Sequence, residues 1–489
     1  MPTHSAGARV PRERTPRDRL PRERIPHEAW ERWRLRRRRT WRSIWAGLSP
    51  SRLLVLSFAL LVLVGTLGFR LLPVLADASR LPWTDALFMA TSAVCVTGLA
   101  VVDPATEMTL AGQLWTLLLV QLGGLGLLAF TSGILLTIGR RLSLRHEALV
   151  HGQDGVAPQV DYRALVRRVL RHTLLIELVG FVMLLAVWVP RYGPVDALWP
   201  AAFHAVTAFM NAGFSTFPGG LSGHAGHTSA LVVVMTLALA GGLGFLVLEE
   251  IGAWVRRGRR GVRLSLHARF VIVATVAISL AGAAAFALLE WDGALADLTR
   301  GERLMHALFG GAAARTAGFN TVDFGNVRTP TALVTMGLMF VGGAPGSTAG
   351  GVKVTTFALL IVLAVARLLG HRSVSAFHRT IPEETLGRAA GLMVLAFIVL
   401  AVGIFVLVTV DPHAAAHDGF LAYMFEAVSA FGTAGLTMNL TPELAPGARR
   451  VVAALMFLGR VGIMTAAAAL VLGPRSVPFR YAKEDVAIG

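Results

Sequence analysis

The stretch "RTAGFN", Arg315 to Asn320, lies between two strongly apolar segments. The phrase returns as "MNAGFS" around Gly213, as "GTAGLT" around Gly435 and, more loosely, as "CVTGLA" around Gly98. The four glycines are 115, 105 and 117 residues apart, so the chain repeats a unit of about 110 residues four times. A phenylalanine (Phe88, Phe203, Phe309, Phe425) stands 9 or 10 residues ahead of each glycine, and the residues between are small or apolar. A helix of that length rises only about 15 Å, half of a bilayer core. It can enter a membrane and return but cannot cross. Non-helical backbone at membrane depth survives only where it is buried in protein or lines a water-filled path. The phrases therefore predict four re-entrant half-helices, each ending on its glycine, closed around one axis.

The rest of the chain supplies the membrane setting. Of 489 residues, 54% are hydrophobic and 15% charged, with mean hydropathy +0.62. Apolar runs at 52–75, 110–138, 173–190, 229–254, 270–290, 330–366, 390–410 and 450–472 approach or exceed the roughly 20 residues a spanning helix needs. The fold class expected is an all-α polytopic membrane protein with eight spans arranged as four tandem helix–pore loop–helix repeats. The units run 50–139, 140–255, 256–370 and 371–472, between a cytoplasmic Arg/Pro-rich tail (1–49) and a cytoplasmic C-terminal tail (473–489). No cleavable signal peptide is expected from the first 44 residues, which hold no apolar core. One cysteine, Cys95, excludes an intrachain disulfide or a multi-cysteine metal site; it reads as a small residue packed behind the first phrase.

The formal charge of +17 is not spread evenly. The tail to Arg42 holds 14 Arg against 5 acidic residues, and segments 139–172, 255–269 and 367–388 hold 7, 6 and 4 Arg. The intervening connections carry more acids than arginines. That alternation is the positive-inside pattern and puts both termini and the basic loops in the cytoplasm. "RLRRRR", Arg34 to Arg39, then reads as an orientation signal and a contact for anionic lipid, in preference to a nucleic-acid-binding run.

Four loops of backbone carbonyls around an axis replace the hydration shell of an alkali cation. The glycines allow the positive φ that inward-turned carbonyls demand, and each half-helix directs the negative end of its dipole at the ion. The filter expected is Val96, Thr97, Gly98; Asn211, Ala212, Gly213; Thr316, Ala317, Gly318; and Thr433, Ala434, Gly435. The blander account of each phrase is a tight turn capping a helix; four at matched spacing argue against it.

The second helix of each unit carries a further glycine motif 24–28 residues after the phrase: "LGGLG" (122–126), "AGGLG" (240–244), "VGGAPG" (341–346) and "LGRVG" (458–462). The first two read as packing glycines. The third opens "GGAPGSTAGGVK": Gly342, Gly343, Ala344, Pro345, Gly346, Ser347, Thr348, Ala349, Gly350, Gly351, Val352 and Lys353. Glycine and proline at that density must break the sixth span. It is not a phosphate-binding loop, because Val352 separates Gly351 from Lys353 and no strand precedes it. A loop across the path below the filter, a gate, is the reading; a kink with a snorkelling lysine is the alternative. Arg460, in the middle of the last span, is costly there unless it faces a cavity or a partner. It reads as a cationic barrier under the filter or as a partner for carbonyls of the broken helix; snorkelling along its own helix, with a role in packing only, is the blander alternative. Glu177 is expected to pair structurally with an arginine of a basic loop, and Glu249 and Glu250 to be solvated.

On "SAVCVTGL", "FMNAGFS", "ARTAGFNT", "FGTAGLT", the "GGAPGSTAGG" loop and the "GRVG" arginine, residues 50–472 resemble the Trk/Ktr/HKT superfamily of potassium transporters, most of all the membrane subunit of Ktr-type uptake systems. The resemblance implies a homodimer in the cytoplasmic membrane with one pore per subunit. It also implies a cytosolic ring of nucleotide-binding regulatory subunits, K+ as the transported ion, and Na+ as a coupling or activating ion. Relatives with Ser in the first filter favour sodium; all four positions here are Gly. Ala344 stands where the family shows Ser, and the Arg-rich tail has no counterpart. A membrane-embedded enzyme would require His, Asp, Glu or Cys converging within the spans, and those offer little beyond Glu177, Lys353 and Arg460 on different repeats. A solute symporter would require an inverted twofold repeat. No catalytic residue and no organic cofactor are expected.

Overall fold

The structure, a computed structural model, describes residues 50–77, 79–126, 162–222, 228–257, 263–315, 317–414, 419–462 and 465. Both tails, most of the first basic loop, Thr316 and the far ends of the second and eighth spans lie outside these. Among the described residues the chain is helical apart from short connections and one two-stranded hairpin.

Each unit opens with a long apolar helix. These are α1 (Pro50–Leu71), α4 (Tyr162–Tyr192), α8 (Leu266–Glu290) and α12 (Glu383–Val410). All four are long and apolar enough to span a bilayer. Their outward faces are leucine, valine and phenylalanine, such as Leu60, Leu63, Leu175, Val182 and Phe405, left exposed because lipid, not water, covers them. After each comes a short helix: α2 (Trp83–Val94), α5 (Leu198–Met210), α9 (Arg300–Ala313) and α13 (Phe420–Gly432). At 12 to 14 residues each reaches roughly 20 Å. Most of the second half of each is buried, as are Phe88, Phe203, Phe309 and Phe425. These are half-helices in the middle of the protein.

The second apolar helix of each unit is α3 (Leu110–Gly126), α6 (Thr228–Leu243) with α7 (Phe245–Arg257), α10 (Thr329–Phe340) with α11 (Val354–Leu368), and α14 (Pro446–Val461). The sixth span is broken by residues 341–353, as its glycines require. The fourth is not continuous over 229–254: α6 and α7 meet at 107°, at Gly244, whose φ is +85°. Gly462 holds the same angle at the end of α14.

A single rule closes the molecule. The second helix of each unit packs against the short helix of the next: α6 on α9, α10 on α13, and α14 back onto α2. For the first unit the link is Gln113 of α3, which accepts from the Trp199 indole of α5 at 2.5 Å. The seam between last and first units is the ion pair of Arg449 (α14) with Asp85 (α2), 2.5 Å apart and mostly buried. Glycines permit the close approaches. A Cβ on Gly123, Gly241 or Gly459 would sit about 2 Å from the carbonyl oxygen of Val94, Phe209 or Phe431 respectively. Each of those carbonyls lies at the C-terminal end of a short helix.

Candidate functional site

Three of the four short helices, α2, α5 and α13, end alike. Val96, Asn211 and Thr433 are left-handed, with φ of 56°, 61° and 50°. Their amides reach back three residues, to Ala93, Ala208 and Ala430. The next amides, of Thr97, Ala212 and Ala434, reach back five, to Ser92, Thr207 and Ser429, at 2.7–2.8 Å. This is the Schellman termination, which ordinarily puts glycine at the left-handed position. A valine and a threonine there are strained, because a β-branched side chain crowds its own backbone at positive φ. In each loop the glycine follows two residues later, also at positive φ: 96° at Gly98, 70° at Gly213, 72° at Gly318 and 82° at Gly435.

The four glycines meet. A Cβ on Gly98 would lie 2.4 Å from the Ala212 carbonyl oxygen and 3.1 Å from Gly213 Cα; one on Gly213, 2.6 Å from Gly318 Cα. One on Gly318 would lie 2.9 Å from the Ala434 oxygen, and one on Gly435, 2.1 Å from the Thr97 oxygen. The contacts run from the first unit through the fourth and back to the first, so backbone, not side chains, surrounds the axis. A side chain at any of the four places would have to displace the backbone of a neighbouring loop. All four glycines line a 340 Å³ cavity that also holds Asp103 and Glu107, with no Arg, Lys or His on its wall among the described residues. The two carboxylates make this cavity electronegative beside the four glycines. Of the twelve residues expected in the filter, the described eleven fall in these loops; Thr316 lies outside the described residues.

Residues 341–353 run directly beneath. All but Pro345, Gly351, Val352 and Lys353 are buried. The segment is tied to the other units by hydrogen bonds. Amides of Ala344 and Thr348 donate to Gly242 and Gly241 carbonyls (2.9 and 3.2 Å), and the Gly351 amide donates to Gly459 (3.3 Å). The Gly346 carbonyl accepts from the Phe245 amide across the α6–α7 bend, 3.0 Å. Gly241 is therefore part of the loop's seat as well as a packing glycine. Two contacts go up to the filter loops: the Asn211 amide group donates to Thr348 Oγ1 (2.8 Å), and the Gly350 amide to Thr433 Oγ1 (3.1 Å). Lys353 does not snorkel; its Nζ donates to the Ala349 carbonyl at 2.7 Å.

Two buried arginines hold the loop. Arg460, 2% exposed, donates from Nη1 to the Thr348 carbonyl, while its Nε and Nη2 find no partner among the described residues. Of the roles open to it from sequence, this contact is the carbonyl pairing. Arg315, 4% exposed, donates from Nη2 to the Gly342 carbonyl at 3.0 Å. Arg315 is not among the residues expected at the site, although an arginine amid apolar residues is the same signal that marks Arg460. Asn211 is expected in the filter for its backbone; its side-chain tether to Thr348 is a feature only the structure shows. Glu177 differs from expectation: it accepts from Gln121 of α3 at 3.0 Å in place of a loop arginine, because α4 runs about four turns beyond it toward its N-terminus. Glu249 pairs with Arg168 at 3.5 Å, on an open surface. Cys95 is buried and unpaired in a disulfide.

Residues 55–476 match the family described as TrkH: Cation transport protein. Ktr system potassium uptake protein B of Bacillus subtilis is 35% identical over 86% of this chain and 93% of its own length. The Vibrio alginolyticus protein of the same name is 36% identical over 90% and 94%, and the potassium/sodium uptake protein NtpJ of Enterococcus hirae 32% over 90% and 98%. The crystal structure of the potassium transporter TrkH from Vibrio parahaemolyticus superposes with TM-score 0.68 at 21% identity, covering 85% of this chain and 83% of that one. The folds are the same.

Proposed function

We propose, from the premise that the chain belongs to the TrkH family of cation transport proteins, that it carries potassium into the cell through the ring of four glycines. The family is one of transporters, not enzymes, and the chain is a multi-pass membrane protein. The observation that carries the proposal is the mutual contact of Gly98, Gly213, Gly318 and Gly435. Carbonyls held on such a ring substitute for the water that a potassium ion sheds. The ion gathers first in the cavity beside Asp103 and Glu107. It is then driven by the membrane potential, worth about 2.3 kcal/mol per charge per 100 mV, so this chain needs no hydrolytic site.

Residues 342–353 act as the gate. Their ties to the filter loops, to Gly241 and Gly459, and to Arg315 and Arg460 support that role, since they fill the space an ion must cross. Arg460 adds a positive charge under the filter and holds the loop in place through the Thr348 carbonyl. Opening is set by a cytosolic nucleotide-binding ring docked on a homodimer, with both termini on the cytoplasmic side of the cell membrane; the word system in the names of the Ktr relatives supports a separate partner, and the basic loops support the orientation. The relative named for both potassium and sodium supports Na+ as a second ion, either coupled or activating.

The test is flux into proteoliposomes of the purified chain with equal gradients of potassium, rubidium and sodium, and again with Gly318→Ser. Potassium and rubidium entry well above sodium, with the preference lost in the variant, is the expected result. Sodium flux indifferent to Gly318 would overturn the filter assignment.

A further inference from the structure

At the end of the molecule away from the glycine ring, α8 starts beside a hairpin, β1 (Ser375–Ala376) and β2 (Arg379–Thr380). The hairpin turn is Phe377 and His378, both left-handed with φ of 52° and 61°. A two-residue turn of that kind favours Asn-Gly, and bulky residues held there are strained. What the side chains touch accounts for them. Phe377 packs edge-on against Phe270 of α8, ring centroids 5.5 Å apart. His378 lines a 440 Å³ cavity with Arg263, Arg269 and Arg379. No carboxylate lines this cavity, and the three guanidinium groups have no hydrogen-bond or ion-pair partner among the described residues. Glu250 is close to this end of α8, but its carboxylate is taken by the Ser265 amide and hydroxyl, 2.9 and 2.8 Å.

Phe377 is shared with a second cavity. This is an apolar groove of 360 Å³ between α8 and α11, walled by Phe270, Ala274, Ile278, Phe357 and Ile361 as well. Because α8 spans the membrane, the groove opens at hydrocarbon depth and the arginine cavity at its edge. An anionic head joined to an apolar chain satisfies both at once. A free anion leaves the groove empty, and a second copy of the chain would have to bring carboxylates to the arginines.

We propose that this paired cavity and groove binds one anionic phospholipid, its phosphate among Arg263, Arg269 and Arg379 and one acyl chain between α8 and α11. The binding is independent of which ion is carried. Its consequence for transport rests on the function proposed above: α11 begins at Val354, directly after the loop, so a lipid that clamps α11 to α8 restrains the gate.

The experiment is native mass spectrometry of the full chain released from nanodiscs of four parts phosphatidylcholine to one part phosphatidylglycerol. The wild type is expected to retain one phosphatidylglycerol per chain. Arg269→Gln with Arg379→Gln should weaken retention about 25-fold, at about fivefold per arginine, the equivalent of about 1 kcal/mol each; the double Lys variant should keep most of it. Ala274→Trp fills the groove without altering charge and should weaken retention at least tenfold. The arginine-rich tail is identical in all variants, so diffuse attraction to anionic lipid does not produce that loss. Thermal melts in detergent monitor folding, and Ile361→Trp fills the opposite wall should Ala274→Trp unfold. Retention unchanged by groove filling, or displaced by inorganic phosphate alone, would overturn the lipid assignment. So would an Ala274→Cys cross-link to a second copy.

Discussion

Val96, Asn211 and Thr433 hold a backbone angle that helix ends usually leave to glycine, and the residue scale is where the site is most exacting. Gly318 shows why. An alanine there must adopt φ near 72° and place its methyl carbon 2.7 Å from Gly213 Cα, a contact with backbone that cannot rotate away. Gly318→Ala should therefore abolish selective flux while the helices remain folded, as circular dichroism would show alongside the flux assay. Arg460 tests the gate. Its hydrogen bond to the Thr348 carbonyl is of the charge-assisted kind, worth about 1.5–3 kcal/mol. Arg460→Gln should raise potassium flux by roughly ten- to a hundredfold by releasing the loop; reduced flux in a folded variant would remove Arg460 from that role. The glycines were legible because four copies of one phrase recur at one spacing. Arg315 and the Asn211 side chain were not, since their partners, the Gly342 carbonyl and Thr348, lie 27 and 137 residues away in sequence.

At the scale of elements, neighbouring glycines do different work. A Cβ on Gly241 would stand 1.9 Å from the Phe209 carbonyl oxygen, whereas one on Gly242 meets nothing within 4 Å. Gly241→Ala should lower the melting temperature in detergent, at a cost of about 1–3 kcal/mol for an overpacked core, and Gly242→Ala should leave it nearly unchanged. Equal effects would mean that α6 does not press on the end of α5. Hydropathy located the apolar runs and glycine density located the break before α11. It did not locate the 107° bend between α6 and α7, because "AGGLG" and "LGGLG" are alike in composition. What separates them is tertiary: the bend seats the Gly346 carbonyl on the Phe245 amide, a partner supplied by another unit.

At the scale of the whole molecule, the account requires that four tandem units close into one ring. The repeat and its closure around one axis were readable from spacing, but the contact that seals the ring was not. The pair that seals it, Asp85 with Arg449, joins residues 364 apart in sequence that no periodicity links. Breaking one partner of a largely buried pair leaves a charge uncompensated, so Asp85→Asn or Arg449→Gln should each destabilise the protein by about 3 kcal/mol. Exchanging the two, Asp85→Arg with Arg449→Asp, should recover part of the loss; a melting temperature as low as the worse single variant would deny the seam. The central claim is that backbone from all four units holds the transported ion. It is tested most directly by a structure determined with rubidium or thallium in place of potassium, using anomalous scattering to locate the ion. The account predicts a peak on the axis, within coordination distance of carbonyls from the loops of Gly98, Gly213, Gly318 and Gly435, that vanishes in Gly318→Ser. A peak elsewhere in the spans, with this ring empty, would contradict it.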